Sequence, residues 1–568
     1  MLTNEFLFLG LFLAVTIGLA IPLGSYMAKV YEGQRTVLSG LLLPIERLLY
    51  GLCGVDEREE MNWKSYALAA VFFTVLGGVL LFIIEMMQGW LPLNPQNIPG
   101  MRWDTALNTA ISFMTNTNWQ SYVGEQAMSY FTQMVGLAVH NFLSAAIGMA
   151  CLVAMIRGFS RKTTDLLGNF WVDMTRSVLY ILMPLSVIFS LIFLTQGMPQ
   201  TFRKSVVATT LEGQTQTIAM GPVASQISIK QLGSNGGGFF NANSAHPFEN
   251  PTSLTNFLET LAILLIPMAL VFMFGAMIGN KKQGRAIFIA MLLLYLLGLG
   301  VILWAELQPD AHLQGMGVTN GMNMEGKEER FGIVKSALWE ESTTVTSNGS
   351  VNAMHDSSAP LAGLVQMTNM GLGEIIFGGV GVGLIGMFFH VLLTMFVVGL
   401  MIGRIPEFLG KKLGVFEMVM SVLGLVGPSV AMLTLGAIAI AVPAGLAGLN
   451  NPSAHGLSEI LYAYTSAVQN NGSAFAGLGA NTVFFNLTLA VNMLIGRFIV
   501  IIPALAIAGS VAQKKVVPST SATFPTTNWL FVIVLMSVIL IMGGLTFFPV
   551  YTLGPILDHF FLLAGKAF

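Results

Sequence analysis

The sequence predicts an all-α polytopic membrane protein, with ten transmembrane helices and a fourfold internal repeat of helix, pore loop and helix. Three observations predict it. Of the 568 residues, 54% are apolar and only 10% charged, with a mean hydropathy of +0.73. A soluble domain carries about a quarter charged residues, so the natural solvent of this surface is lipid. Ten separate stretches are long and apolar enough to cross a bilayer, and four clusters rich in Asn, Gly, Ser and Thr recur at near-equal spacing. The same composition excludes a cytosolic enzyme. A net charge of −2 leaves no basic stripe for nucleic acid. The two cysteines, Cys53 and Cys151, make neither a disulfide framework nor a zinc site. The many glycines and methionines suit close helix packing in a membrane.

A spanning helix needs roughly 20 apolar residues. In chain order the candidates are 5–27, 65–86, 127–155, 173–196, 254–279, 286–305, 371–402, 416–446, 476–510 and 527–548. The first does not read as a cleavable signal peptide, because no basic residue precedes it, no small-residue cleavage site follows, and the first basic residue is Lys29. The connections after spans 1, 3, 5, 7 and 9 carry most of the basic residues, among them Lys29, Arg47, Arg157, Lys162, Lys281, Arg404, Lys411 and Lys514. The far longer remaining segments hold only Arg102, Arg203, Lys204, Lys230, Lys327, Arg330, Lys335 and the C-terminal Lys566. The positive-inside rule therefore makes the first set cytoplasmic and puts both termini outside.

The four long outer connections share one pattern. Each has a short helix-compatible segment, then a polar cluster, then the next span. The clusters are TNTNWQS (Thr115 to Ser121), GSNGGGFF (Gly233 to Phe240), TSNGSVN (Thr346 to Asn352) and QNNGSAF (Gln469 to Phe475). Marked by Thr117, Gly236, Gly349 and Gly472, they lie 119, 113 and 123 residues apart, the signature of a repeated structural unit. Asp104 opens the first short helix as an acidic cap. Pro222 opens the second at a position that suits proline, and Ser453 opens the fourth behind Asn451-Pro452. The third, around Ile333 to Thr344, carries no comparable start signal. At 1.5 Å per residue, about 11 residues reach only halfway through the hydrocarbon core, so these helices dip in and return.

Non-helical backbone at membrane depth is tolerated only in a wet cavity or buried in protein. Four such loops around one axis would present a ring of carbonyl oxygens, which can replace the hydration shell of an alkali cation. The half-helices would aim their negative C-terminal ends at that axis. Glycine permits the backbone angles such loops need. Taken singly, each cluster also fits a surface turn, since Asn-Gly and Gly-Gly are common turn dipeptides. Four of them in register on one side favour the pore.

At these residues the sequence resembles the A chains of potassium-transporting ATPases, the ion-translocating subunits of bacterial Kdp complexes. The matching stretches are NTNWQSYVGE (Asn116 to Glu125), NGGGFFNANSAHPFENP (Asn235 to Pro251), AMHDS (Ala353 to Ser357) and NNGSAFAGL (Asn470 to Leu478), with the pattern of spans throughout. The resemblance implies four pseudo-symmetric helix–pore-loop–helix units around one pore, plus one extra helix at each end. It implies a potassium-binding filter at Asn116, Thr117, Asn118, Ser234, Asn235, Gly236, Ser347, Asn348, Gly349, Asn470, Asn471 and Gly472, with Gln120 at the outer pore. It also implies a bacterial inner-membrane location and three partners: a P-type ATPase B chain and small C and F chains. The mutual differences among the four loops imply a distorted, not exactly fourfold, ion site. The segments would be 1–63 (first span and cytoplasmic connection), pore units at 64–156, 171–280, 285–403 and 416–511, and a last span with tail at 527–568.

Ionisable residues inside the membrane are costly and are functional candidates by default. Arg497 lies deep in apolar sequence and Glu374 at the start of span 7. Either could instead be a structural pair or a snorkelling side chain. Span 7 contains GGVGVGLIG (Gly378 to Gly386), which predicts an interruption at Gly378, Gly379 and Gly381. In the family such a break acts as an inner gate. Arg404 is a cytoplasmic anchor or a partner contact. The seven histidines show no metal spacing and read as structural or surface residues. The run from Gly321 to Glu328 fails as a phosphate loop because Glu328 stands where Ser or Thr is required. No DKTG motif or intact Walker loop is present, and the longest cytoplasmic connection, about 28–64, is far below domain size. The chain is therefore expected to bind no nucleotide and to hydrolyse no ATP, and the resemblance implies the potassium ion as its ligand. The alternative is a stand-alone potassium channel or cation-coupled symporter of the same superfamily. An inverted-repeat transporter is disfavoured, because all four units start from the same side.

Overall fold

A computed structural model describes residues 2–309, 317, 322–518 and 523–565. Lys566 and Gly321, both used above, lie outside the described residues. The polypeptide is built from helices because spanning segments must satisfy every backbone group internally. Among the described residues, ten helices are long and apolar enough to cross a membrane.

The chain opens with α1 (Leu2–Tyr31) and an unexpected second helix, α2 (Ser39–Cys53). The first repeat comprises α3 (Trp63–Met87), the short α4 (Trp103–Met114) and α5 (Thr132–Ser160). The second comprises α6 (Phe170–Thr195), an outer hairpin of β1 (Val206–Thr209) and β2 (Thr215–Ile218), the short α7 (Val223–Leu232) and α8 (Ser253–Met277). The third comprises α9 (Lys281–Glu306), the short α10 (Gly332–Val345), α11 (Pro360–Gly371) and α12 (Val382–Met401). A two-residue-per-strand hairpin, β3 (Glu407–Phe408) with β4 (Lys411–Lys412), leads to the fourth repeat: α13 (Val415–Ala441), the short α14 (Ser453–Gln469) and α15 (Val483–Ala512). Two helices follow, α16 (Trp529–Leu553) and α17 (Pro555–Leu563).

The repeats close on themselves. Helix α15 of the fourth packs against α4 and α5 of the first, and α8 of the second packs against α10 of the third. Helices α5 and α8 are sheathed by protein, whereas α1, α3, α13 and α16 present most of their length outward. The apolar outward faces belong in lipid. Helix starts use side-chain caps that satisfy orphan amides: Asn62 before α3, Thr252 before α8, Thr482 before α15 and Asn528 before α16.

Several expectations need correction. Span 7 begins at Val382, not near 371, because the chain breaks between α11 and α12. Glu374 therefore sits in the break and not at a helix start. Asp104 is not the cap of α4. Arg102 holds that position, and its guanidinium grips Asp104 at 2.5 and 2.8 Å. Pro222 and Pro452 precede α7 and α14 as flanking residues. Helix α2 escaped the sequence reading because 15 residues are too short to span. It turns Glu46 inward to accept bonds from Arg176 and Tyr180, and leaves Leu41, Ile45, Leu48 and Leu52 exposed.

On the side assigned to the cytoplasm, Lys411 ties the ends of α5 and α15 together. Its ammonium donates to the carbonyls of Gly158 (2.8 Å) and Val511 (2.9 Å) and to that of Arg161. These are C-terminal carbonyls of α5 and α15 with their flank, where a cation complements the helix dipoles. Burial, with Lys162 and Lys514 nearby, pushes the Lys411 ammonium down to about 8.

Candidate cation-binding filter

Each short helix ends in the same way. A residue with positive φ follows it: Asn116 (+68°), Ser234 (+49°), Ser347 (+56°) and Asn470 (+59°). The next residue's amide then donates back five positions. The four bonds are Thr117 to Ser112 O (2.9 Å), Asn235 to Lys230 O (3.0 Å), Asn348 to Thr343 O (3.2 Å) and Asn471 to Ser466 O (2.9 Å). This is the left-handed C-terminal closure of a helix, built four times from Asn or Ser where glycine is usual. One residue later φ is positive again, at Asn118 (+57°), Gly236 (+80°), Gly349 (+81°) and Gly472 (+100°). In an ordinary extended strand successive carbonyls point to opposite sides. Left-handed residues at alternate positions turn them toward one side instead.

The closure also fixes the register. Asn118, not Thr117, is the counterpart of the three glycines, and Thr117 matches Asn235, Asn348 and Asn471. The sequence markers were offset by one in the first loop because its third position lacks the glycine that identifies it elsewhere.

The loops touch in cyclic order. A Cβ on Gly236 would overlap the carbonyl oxygen of Asn348, one on Gly349 that of Asn471, and one on Gly472 that of Thr117. The first and second loops are joined by side chains: Asn116 Nδ2 donates to Ser234 O at 2.9 Å, and Asn235 Nδ2 to Asn116 Oδ1 at 2.6 Å. Further seams come from Asn471 Nδ2 to Thr343 O (3.0 Å), Ser347 Oγ to Asn470 O (2.8 Å) and Asn470 Nδ2 to Thr117 Oγ1 (2.9 Å). The middle asparagines thus bind the unit before their own, and the four segments form one closed ring. Thr117, Asn235, Asn348 and Asn471 are fully buried. Among the described residues their carbonyl oxygens accept no hydrogen bond. A buried carbonyl is nearly always paired, and four unpaired ones side by side offer oxygens of the kind that can replace a cation's water shell.

Below the ring lies a cavity with Asn116, Ser347 and Asn470 in its lining; Glu374, His390 and Arg497 also line it. Glu374 (φ +50°) accepts from Asn471 Nδ2 at 2.6 Å and so touches the back of the fourth loop. Arg497 donates to Ser144 O at 2.7 Å, and its Nε finds no partner among the described residues. The break between α11 and α12 folds tightly. A Cβ on Gly378 would overlap Glu374 O and one on Gly381 (φ +93°) would overlap Gly148 O, while one on Gly379 would come within 2.9 Å of Ser347 Cβ. The glycine segment therefore lies directly under the third loop. At the other end, Gln120 brackets the second loop, accepting from Gly238 N and donating to Gly238 O, both at 3.0 Å. Arg404 stands apart from this cavity. It is exposed beyond the end of α12, in a cleft shared with Glu407 and Lys412.

Sequence reasoning missed Ser144, whose Oγ donates to Asn116 Oδ1 at 2.8 Å and whose carbonyl accepts from Arg497, and it missed His390 in the cavity lining; only the packing of α5 and α12 brings them there. It also read no metal pattern among the histidines. The structure does gather Asp356, His455 and Glu459, which are about 100 and 4 positions apart along the chain, so spacing alone could not reveal them. His455 Nε2 faces Asp356 (3.1 Å) and Nδ1 faces Asp558 (2.9 Å). Burial opposes its charge, yet the two carboxylates prevail and raise the imidazole to about 9. A ring held as imidazolium between two carboxylates is a clamp between α14, α17 and the third loop, and a poor metal ligand.

A family model described as the potassium-transporting ATPase A subunit matches residues 10–560. The chain is 56% identical over 568 residues to a potassium-transporting ATPase potassium-binding subunit of Methylorubrum extorquens, covering 100% of this chain and 99% of that protein. It is 55% identical over 557 residues to one of Pseudomonas aeruginosa, covering 98% and 99%. The solved structure of the potassium transporter TrkH from Vibrio parahaemolyticus aligns with a TM-score of 0.50 at 16% identity, over 86% of this chain and 95% of that one. At that identity the likeness concerns the fold.

Proposed function

The chain belongs to the potassium-transporting ATPase A subunit family, and from that premise we propose how its geometry performs potassium uptake. It is a multi-pass membrane protein and the potassium-binding, non-hydrolysing subunit of a potassium-transporting ATPase complex. ATP hydrolysis lies in another chain. In our reading that chain is a P-type ATPase B chain, joined by small C and F chains, in the bacterial inner membrane with both termini of this chain outside.

The observation that carries the reading is the ring of unpaired buried carbonyls at Thr117, Asn235, Asn348 and Asn471. A potassium ion entering past Gln120 exchanges its water shell for carbonyl oxygens of the twelve residues Asn116–Asn118, Ser234–Gly236, Ser347–Gly349 and Asn470–Gly472. The C-terminal ends of α4, α7, α10 and α14 add the negative ends of four helix dipoles. The loop amides are committed to the helices behind them, so the carbonyls stay free for the ion and the ring is held open without it. Such preorganisation lowers the ordering cost of binding. Because Asn118 replaces glycine in one quadrant, the ring is asymmetric and its selectivity is concentrated at one depth. Below, the break at Gly378, Gly379 and Gly381 with Glu374 forms the inner gate. The Arg497 guanidinium repels a second cation in the cavity, and the ion leaves sideways toward the pump chain.

The test is a structure of the intact complex in potassium and in rubidium, whose anomalous scattering identifies the ion. Density on the axis of the four loops is expected. Purified complex with potassium-stimulated ATPase activity but no ion on that axis refutes the assignment.

A further inference from the structure

The run from Asn235 to Pro251 continues well past the filter, and its later residues have no part in the ring itself. Lys230, in the last turn of α7, is fully buried beside the second loop. Its ammonium donates to Glu249 Oε2 at 2.6 Å and to Asn243 Oδ1 at 2.7 Å. Asn243, buried with φ +53°, donates from Nδ2 to the carbonyl oxygen of Gly236 at 2.7 Å. Glu249 Oε1 accepts the Phe240 amide at 2.8 Å, and Asn243 Oδ1 also receives the Val351 amide, just past the third loop, at 3.4 Å.

An ammonium has only donors and a carbonyl only acceptors. The Asn243 amide is therefore caught between an obligate donor and an obligate acceptor, and only one of its two orientations makes both bonds. Reversed, its NH2 would face the ammonium and its oxygen the Gly236 oxygen. Glu249 compensates the buried ammonium, so the pair is neutral as a unit. Among the described residues no other quadrant has this brace. Among the described residues the carbonyls of Asn118, Gly349 and Gly472 accept no hydrogen bond. Gly236 is thus the one outer carbonyl of the ring held from outside, and a carbonyl held by a fixed amide yields less to an ion of the wrong radius.

We propose that Asn243 is a positioning residue for selectivity: oriented by the Lys230–Glu249 pair, it fixes the Gly236 carbonyl and so sets the ion size accepted at the outer end of the filter. The inference rests on the filter reading above. The experiment uses the assembled ATPase complex and reads the half-saturating concentrations of potassium and rubidium for ATPase stimulation, as a ratio that does not depend on the maximal rate. Asn243→Asp puts a carboxylate oxygen where the donor was. It should raise half-saturating potassium at least tenfold and reduce discrimination against rubidium at least threefold. The double variant Lys230→Met, Glu249→Gln removes both charges of the pair together and leaves only the Ser244 (2.9 Å) and Val351 (3.4 Å) backbone amides to orient the Asn243 side chain. It should shift the ratio in the same direction, whereas Lys230→Arg, which keeps a donor-only cation, should preserve it. If the ratio stays at the wild-type value in Asn243→Asp and in the double variant, while Gly236→Ala shifts it, the filter stands and Asn243 is mere packing. A lower maximal rate at an unchanged ratio counts the same way. If Gly236→Ala also leaves the ratio untouched, the filter reading falls and takes this inference with it.

Discussion

Replacing Gly236 by alanine should weaken potassium binding by one to two orders of magnitude. Gly236 has φ +80°, where a residue with a Cβ costs roughly 1–2 kcal/mol in backbone strain. The added carbon would stand 2.6 Å from Gly349 C and overlap the Asn348 oxygen. Carbon atoms pack at about 3.5–4.0 Å, so the third loop must retreat by about 1 Å. That retreat moves Asn348 O, one of the four unpaired carbonyls, out of the ring. A charge-to-dipole contact is worth about 1.5–3 kcal/mol, which corresponds to roughly 10- to 150-fold in affinity. The assay is half-saturating potassium for ATPase stimulation of the assembled complex, repeated against rubidium and sodium. Gly213→Ala provides the control: Gly213 also has φ +80°, in the turn of the outer hairpin, and a Cβ there meets nothing within 4 Å. It carries the same backbone strain without touching the ring. Wild-type affinity and selectivity in a folded Gly236→Ala complex would refute the argument that these loops form one ion site.

Two further outcomes follow from the same geometry. Alanine at Gly378, Gly379 and Gly381 together should change cation flux through reconstituted complex several-fold, because the added carbons strike Glu374, Ser347 and Gly148; flux identical to wild type would remove the gate from the break. His455, raised from 6.5 to about 9 by Asp356 and Asp558 against the opposing effect of burial, contributes stability that is complete below about pH 6.5 and is lost as pH rises through about 9. Thermal unfolding of the complex between pH 6 and 10 should fall more steeply for wild type than for His455→Gln, and parallel curves would contradict the clamp.

Hydrophobic length was enough to specify ten candidate crossings from the sequence, because a lipid solvent leaves the backbone few alternatives. The four polar clusters were legible for a similar reason: positive φ and close loop contact favour Gly and Asn, residues whose recurrence stands out in apolar sequence. The finer register was not. Asn118 takes the left-handed conformation that three glycines take elsewhere, and only the repeated five-residue bond from the loop amide to its helix aligns it with them. The break before Val382 was foreshadowed by glycines, yet its extent was hidden, since Leu372, Ile375, Ile376, Phe377 and Val380 make the broken segment read as the first turns of a span. Contacts between distant segments, such as Lys230 through Asn243 to Gly236, Glu374 to Asn471, and Asp356 with His455 and Asp558, were decided by the tertiary structure. Sequence determined that four equivalent loops exist, since local conformation is written in residue type. Which carbonyls go unpaired at their meeting point depends on how four units close into a ring, and closure is a property of packing that no single segment encodes.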